Sequence, residues 1–122
     1  MRGTIPTEIQ RLTKLTTLIL GKNDFTGTIP TVIGTLPLQI FDIHDNRLSG
    51  SIPTELGITQ TFEKILLSNN MLTGTIPPEI FNARSLRVFE IDDNQLSGSI
   101  PSEVGNAKNL SECKYSLIKD EL

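Results

Sequence analysis

The chain has 122 residues, of which 37% are hydrophobic and 20% are charged, with one histidine, one cysteine and a formal net charge of -3. This length allows a single domain at most, and the composition excludes both a disordered tail and a membrane-spanning protein. The acidic balance argues against nucleic acid or an anionic membrane as the partner, and a lone cysteine excludes an internal disulfide or a zinc site of Cys and His.

A four-residue string, Gly-Thr/Ser-Ile-Pro, recurs along the whole chain. Its copies are separated by steps of 24, 23, 24 and 24 residues, and they begin at Gly3, Gly27, Gly50, Gly74 and Gly98. An asparagine keeps the same step, at Asn23, Asn46, Asn70 and Asn94. Self-similarity at this period predicts a solenoid, in which each repeat packs only on its neighbours.

Within each repeat, apolar residues stand eight, five and three places before the asparagine, as in Leu38, Phe41 and Ile43 before Asn46. The last two alternate with an outward residue, which predicts one short half-buried strand per repeat. The asparagine follows where the chain must turn, and its amide can satisfy turn backbone that no sheet ladder reaches. Stacked repeats should therefore form a continuous ladder of asparagines.

The residues after each Ile-Pro predict a short helical or 3₁₀ segment. Proline suits a first helical position, and an acidic residue there complements the positive end of the backbone dipole. Apolar residues should point inward from these segments, and Gly34, Gly57 and Gly105 suit their exits. The Leu/Phe-Thr/Ser-Gly piece before each string is expected to form a second, smaller strand.

Departures from the pattern identify irregular places. The second repeat is one residue short, near Leu36, and Thr59 stands where a leucine is usual, so Ile58 is expected to pack in its place. In the fifth repeat Ile118 replaces the asparagine, and Cys113 falls at a buried strand position, as a small core residue rather than a reactive thiol.

The full pattern, L-x-x-L-x-L-x-x-N-x-L-[ST]-G-x-I-P, resembles the plant-type leucine-rich repeat over almost the whole chain. The resemblance implies an α/β fold: a right-handed leucine-rich-repeat solenoid with parallel strands on the concave face and short helical or 3₁₀ segments on the convex side. Residues 1–122 would form one domain of about five 23–24-residue repeats, the last incomplete. Similar repeats occur in receptor-like kinase ectodomains and polygalacturonase-inhibiting proteins of plants, and in algae and protists.

The first repeat lacks the cysteine-paired cap of plant-type ectodomains. Leu12, Leu15 and Leu18 are therefore expected to be partly exposed to solvent, because the end of a solenoid is normally covered by a capping unit with a polar outer face. Two explanations stay open: the chain is a fragment of a longer protein, or the end is covered by end-to-end self-association.

A binding function should lie on the concave sheet, where the side chains between buried apolar residues project outward. Exposed apolar side chains there suggest a partner surface, and the carboxylates suggest a protein or peptide partner that presents a basic patch. The alternative is that the acidic residues only keep the sheet soluble. The predicted partner-binding residues are Asp42, His44, Asp45, Leu66, Ser68, Glu90, Asp92 and Asp93.

The sequence predicts no enzyme, no cofactor and no metal site. His44, Ser68 and Asp42 or Asp92 could meet on adjacent strands as a nucleophilic triad, but an open face supplies neither a pocket nor an oxyanion hole. A calcium ion between Glu90, Asp92 and Asp93 would lack a full shell of oxygen ligands.

The predicted function is a non-enzymatic protein- or peptide-binding module, and its membership of a receptor-like protein is an option that stays open. The alternatives are an inhibitor of an extracellular carbohydrate-degrading enzyme, and a structural fragment of a longer array without independent binding. The resemblance implies an extracellular or secretory location. Asn109-Leu110-Ser111 matches an N-glycosylation sequon and Lys119-Asp120-Glu121-Leu122 matches the endoplasmic reticulum retrieval signal, and whether either is used stays open. A complete chain without a signal peptide would be cytoplasmic.

Overall fold

The fold was obtained as a computed structural model, which describes residues 1–117. Short strands and 3₁₀ segments alternate along the chain, and no α-helix occurs in these residues. The strands are β1 (Arg2–Thr4), β2 (Thr17–Ile19), β3 (Asp24–Thr26), β4 (Ile40–Asp42), β5 (Ser49–Ser51), β6 (Lys64–Leu66), β7 (Met71–Gly74), β8 (Val88–Glu90), β9 (Gln95–Leu96) and β10 (Glu112–Lys114).

The even-numbered strands form one five-stranded sheet, the concave sheet. Its order is β2-β4-β6-β8-β10, every pair is parallel, and no register shift occurs between neighbours. Parallel pairing follows from the repeat, because each strand is reached by one full turn of the coil in the same direction. The predicted parallel sheet with one strand per repeat is confirmed.

The smaller odd-numbered strands pair on another side of the coil. β1 pairs with β3, and β5, β7 and β9 form a three-stranded parallel sheet. A single bridge between Thr28 and Ser49 connects the two groups. β3, β5, β7 and β9 overlap the Leu/Phe-Thr/Ser-Gly pieces, so the predicted second strand is confirmed in the first four repeats.

The convex side consists of 3₁₀ segments of four or five residues. Each is preceded by the proline of the repeated string, whose extended backbone leads into the segment. The hydrogen bonds are of the i to i+3 kind typical of 3₁₀ structure, as in Ile33 N to Pro30 O at 3.1 Å. The segments are Thr7–Arg11, Thr31–Thr35, Thr54–Gly57, Pro78–Asn82 and Ser102–Asn106.

One continuous hydrophobic core runs along the axis of the coil. In the second, third and fourth repeats the three apolar strand positions have no exposed surface; they are Leu38, Phe41, Ile43, Phe62, Ile65, Leu67, Leu86, Phe89 and Ile91. Two aromatic contacts reinforce this core, and the rings of Phe81 and Phe89 meet edge to face with centroids 5.5 Å apart. The core residues predicted from the repeat pattern are confirmed in these three repeats, whereas Tyr115, at an apolar position of the fifth repeat, is 50% exposed.

The asparagine ladder connects each repeat to the one before it. Asn70 accepts a hydrogen bond at Oδ1 from the backbone N–H of Leu48 (3.0 Å), and its Nδ2 donates to the carbonyls of Ile43 (3.0 Å) and Leu67 (3.2 Å). Three buried backbone groups of two repeats are thereby satisfied by one side chain. Equivalent bonds between repeats are made by Asn46 and Asn94.

The expected role of the segment glycines was wrong. Gly34 and Gly57 lie inside or at the last residue of 3₁₀ segments, and neither has a positive φ. Glycine is required there because the segments approach one another closely: a Cβ on Gly34 would lie 2.0 Å from the carbonyl oxygen of Glu55. The positive-φ glycines are the first residues of the five repeated strings.

Two further expectations are corrected at irregular repeats. Ile58 does not replace the missing leucine: it is 69% exposed, because it follows the 3₁₀ segment on the convex side. Cys113 is only half-buried, since β10 is an edge strand of the concave sheet. Burial still raises the pKa of its thiol. Ile118 and the retrieval signal at Lys119 to Leu122 lie outside the described residues.

Candidate interaction surface

The outward side chains of the concave sheet form straight rows across the strands, because every strand pair is in register. We call the row of last strand residues the central row: Ile19, Asp42, Leu66, Glu90 and Lys114. The row of first strand residues is the upstream row: Thr17, Ile40, Lys64, Val88 and Glu112. Both rows are continuous over five repeats, as a surface for a long ligand requires.

A third row, the turn row, follows the strands by three residues. Its backbone is left-handed in the first four repeats, with φ between 54° and 59° at Lys22, Asp45, Asn69 and Asp93. Aspartate and asparagine tolerate this conformation better than most residues, which accounts for three of the four. The turn places their side chains at the carboxyl ends of the strands, beside the central row.

Asp42 is not part of the exposed acidic band that the sequence predicted. Its side chain is 12% exposed, and its Oδ1 accepts hydrogen bonds from the backbone N–H of His44 (3.1 Å) and from His44 Nδ1 (2.5 Å). The imidazole in turn covers Gly21, where a Cβ would lie 2.5 Å from the ring. Asp42 therefore positions His44, and the half-exposed imidazole is the group that a ligand can reach.

Ser68, Asp92, Asp45 and Asn69 form side-chain hydrogen bonds between neighbouring repeats. The Ser68 hydroxyl donates a short hydrogen bond to Asp92, and Asn69 Nδ2 donates to Asp45 Oδ1 at 2.7 Å. These bonds give Ser68 and His44 different carboxylate partners, so the three groups weighed as a triad do not form one. The bond between Asn69 and Asp45 also orients two side chains of the turn row.

Carboxylates that a ligand can reach lie mainly in the second and fourth repeats. The Asp45 side chain is 40% exposed and Asp93 is exposed, whereas Glu90 is 23% exposed and lies 3.8 Å from Lys114 Nζ. The pair of Glu90 with the exposed Lys114 contributes little to stability. The face is therefore acidic at the turn row and mixed in charge along the central row.

All eight sequence-predicted site residues lie on the concave sheet or on the turns that follow its strands. Leu66 is half-buried, and Asp42 is the one that is buried. The residues of this surface that were not predicted as site residues include Ile19, which is 62% exposed, Asn69 and Gly21. Listing the residues by repeat position identifies Ile19 and Asn69, but the contact of Gly21 with His44 depends on a side-chain rotamer.

The first repeat carries a second exposed apolar region, away from the concave rows. Leu12 is 55% exposed and Leu15 and Leu18 are half-buried, which confirms that this end is partly bare. A cavity of about 630 Å³ opens there, lined mostly by apolar side chains including Ile9, Leu18 and Leu20. Self-association through this end stays a prediction.

The glycosylation sequon lies on an exposed turn before β10. Asn109 is exposed and donates from Nδ2 to the carbonyl of Arg84 at 2.8 Å, and Ser111 is exposed. Among residues 1–117 no three His, Cys, Asp or Glu side chains are grouped closely enough to hold a metal ion. The same residues contain no helix long and apolar enough to cross a membrane.

Comparison with protein families matches the Leucine Rich Repeat model four times, at residues 14–36, 37–57, 61–83 and 85–107. The chain is also similar to receptor kinases of Arabidopsis thaliana. It is 41% identical over 56 residues to an LRR receptor-like serine/threonine-protein kinase, which is 46% of this chain and 6% of that protein. It is 38% identical over 48 residues to receptor-like kinase TMK2, of which it covers 5%.

Solved structures match over nearly the whole chain. The plant peptide hormone receptor RGFR1, in complex with RGF2, superposes with a TM-score of 0.91 at 38% identity over 95% of this chain. The Arabidopsis receptor kinase HAESA, in complex with the peptide hormone IDA and the co-receptor SERK1, gives 0.87 at 36% identity, again over 95%. This chain covers 19% and 20% of those two chains. The match is thus to a short stretch of much longer receptors.

Proposed function

The chain belongs to the leucine-rich-repeat family, and from that premise we propose that it is a non-enzymatic recognition module whose concave sheet binds a peptide or protein ligand. The observation that carries the proposal is the 95% overlap, at a TM-score of 0.91, with a receptor solved in complex with RGF2. A shared fold does not determine which ligand a protein binds, so the proposal also depends on the surface of this chain. That surface presents in-register rows with exposed apolar and acidic side chains.

The ligand class is a segment with basic and apolar side chains. Asp45 and Asp93 offer reachable carboxylates, while Ile19 and Leu66 offer apolar contact area in the neighbouring row. Complementary charge raises association rates and discriminates between ligands, and apolar burial supplies most of the affinity. We place the module in the extracellular or secretory part of a receptor-like protein, as in its relatives.

A selection from a phage-displayed library of random linear peptides tests this function. The wild-type chain is compared with a concave variant, Leu66→Ser with Asp45→Ala and Asp93→Ala, and with a convex control, Ile58→Ser with Glu8→Ala. Circular dichroism first checks that all three chains fold. We expect clones enriched on wild type to lose binding to the concave variant and to retain it on the control.

Enriched clones that bind the concave variant as well as wild type would overturn the proposal. So would a selection that enriches nothing over an empty support. The second candidate function is a structural fragment of a longer array, which the partly bare first repeat favours. A chain that is monomeric in analytical ultracentrifugation and unfolds cooperatively argues against that candidate. Inhibition of an extracellular carbohydrate-degrading enzyme stays a prediction from the sequence.

A further inference from the structure

Over the first four repeats, the outward residues of the concave sheet alternate with a period of two strands in three separate rows. In the central row the apolar residues are Ile19 and Leu66, with Asp42 on the strand between them. In the upstream row they are Ile40 and Val88, with Lys64 between them. Equivalent chemical groups in one row are therefore about 9.6 Å apart, since neighbouring strands lie about 4.8 Å apart.

The turn row has the same period. Its carboxylates are Asp45 and Asp93, and Asn69 stands between them on the intervening repeat. Lys22 begins the row and confines its acidic part to the second to fourth repeats. The apolar groups of the central row and the carboxylates of the turn row thus have the same period, offset by one strand, in parallel lines that cross the strands.

A regular peptide matches this surface only if its own repeat has the same length. A polyproline II helix has three residues per turn and rises about 3.1 Å per residue, so residues i and i+3 lie on one ridge about 9.3 Å apart. A β-strand repeats on one face every ~6.6–6.8 Å, which matches neither one strand step nor two. The two-strand period therefore favours the polyproline II conformation.

We propose that the ligand of the concave sheet is a linear segment in polyproline II conformation, which crosses the strands and has a three-residue sequence period. Apolar side chains of one ridge contact Ile19 and Leu66, and basic side chains of an adjacent ridge reach Asp45 and Asp93. This inference rests on the proposed function and adds the conformation and the sequence period of the ligand.

The charged residues of the concave sheet favour a basic ridge of the ligand at the turn row and disfavour one at the upstream row. Lys64 lies in the upstream row, so a basic ridge is repelled there and attracted at the turn row. Asp45 Oδ1 accepts a hydrogen bond from Asn69 Nδ2, and Asp45 Oδ2 lies 3.9 Å from His44 Nε2. The side chain is thereby oriented in advance, which lowers the ordering cost of binding, as does a ligand already in polyproline II form.

Defined synthetic peptides test the inference by fluorescence polarisation with the folded chain. The probe is a fluorescein-labelled 15-residue peptide, (Leu-Pro-Lys)₅, together with its reverse, (Lys-Pro-Leu)₅. A shuffled peptide of the same composition, with leucines spaced by two and four residues, is the matched control. We expect the better of the two periodic peptides to bind with a Kd at least tenfold lower than the shuffled peptide.

Variants of the protein locate the binding. Leu66→Ser should raise the Kd for the periodic peptide at least fivefold, and Asp45→Asn with Asp93→Asn should raise it and weaken its salt dependence. Ile58→Ser removes an exposed apolar side chain from the convex side and should leave the Kd unchanged.

Three results would overturn the inference. One is equal affinity for the periodic and shuffled peptides; another is tighter binding of an alternating (Leu-Lys)₇ peptide; the third is no binding of any of them. If the shuffled or alternating peptide binds and Leu66→Ser abolishes that binding, the concave sheet still recognises peptides, and only the polyproline II period is rejected. Failure of the proposed function appears instead as library clones that are insensitive to the concave variant.

Discussion

The first repeat and the third repeat have the same pattern of apolar residues but different burial. Leu67 in the third repeat has no exposed surface, whereas Leu20, at the same place in the first repeat, is half-buried. The third repeat is covered by a neighbour on each side, and β2 of the first repeat is an edge strand. In this fold, the side chains of one repeat are buried by the adjacent repeats. The same amino acid therefore contributes more to stability in a central repeat than in a terminal one.

The largest expected effect compares those two leucines directly. Leu67→Ala should lower the free energy of unfolding by about 2–5 kcal/mol, because it leaves a cavity in a closed core. Leu20→Ala should cost less than half as much, because solvent already reaches that site. Urea denaturation of both variants measures the difference. Equal losses would show that the first repeat is covered in solution by something outside the described residues.

Two glycines on the convex side, Gly57 and Gly105, give a second comparison. A Cβ at Gly57 would lie 2.4 Å from Glu79 Cβ, whereas one at Gly105, in the last 3₁₀ segment, meets nothing within 4 Å. Gly57→Ala should therefore destabilise the chain by about 1–3 kcal/mol through overpacking. Gly105→Ala should be neutral or stabilise by up to about 1 kcal/mol, since it restricts the unfolded chain. Thermal unfolding followed by circular dichroism checks both, and a neutral Gly57→Ala would contradict the close approach of the segments.

The asparagine ladder gives a third pair, with an expected loss of stability similar to that at Gly57. Asn70 is 8% exposed and bonds to backbone groups of two repeats, so Asn70→Ala should cost about 1–3 kcal/mol for the groups left unsatisfied. Asn23 is half-buried, and its Oδ1 accepts from the amino group of Met1. Asn23→Ala should cost less than about 1 kcal/mol, because water can replace these partners. Chemical denaturation distinguishes the two, and a reversed order would contradict the ladder as the connection between repeats.

The smallest effect concerns the last described strand. Burial raises the pKa of the Cys113 thiol, so less of it is thiolate at neutral pH. Iodoacetamide should therefore alkylate Cys113 a few-fold more slowly in the folded chain than in urea, and the folded rate should rise at a higher pH. The control is Ile65→Cys in a Cys113→Ser background, which places a thiol at the fully buried position of the same register and should react far more slowly. Equal rates of alkylation would show that the inward side chain of β10 is buried as completely as that of β6.

Much of the candidate surface follows from the repeat alone, and particular contacts do not. The period identifies which residues project from the concave sheet, and all eight predicted site residues lie there. The period could not show that Asp42 is buried and bonded to His44. This contact depends on the position of the imidazole, which is possible only because Gly21 of the neighbouring repeat has no side chain. Nor could the period separate Ser68 from His44, since the choice of Asp92 as its partner is made between strands.

The sequence by itself determined the solenoid, its core and its asparagine ladder, because each depends on residues that recur at a fixed step and see the same surroundings in every repeat. Only the tertiary structure decided which carboxylates a ligand can reach, why Gly34 and Gly57 must lack a side chain, and how far the first repeat is bare. These features depend on contacts between different repeats, where a side chain in one turn of the coil meets whatever the next turn presents. Periodicity specifies the position of a residue in its own repeat, and packing between repeats specifies its neighbours.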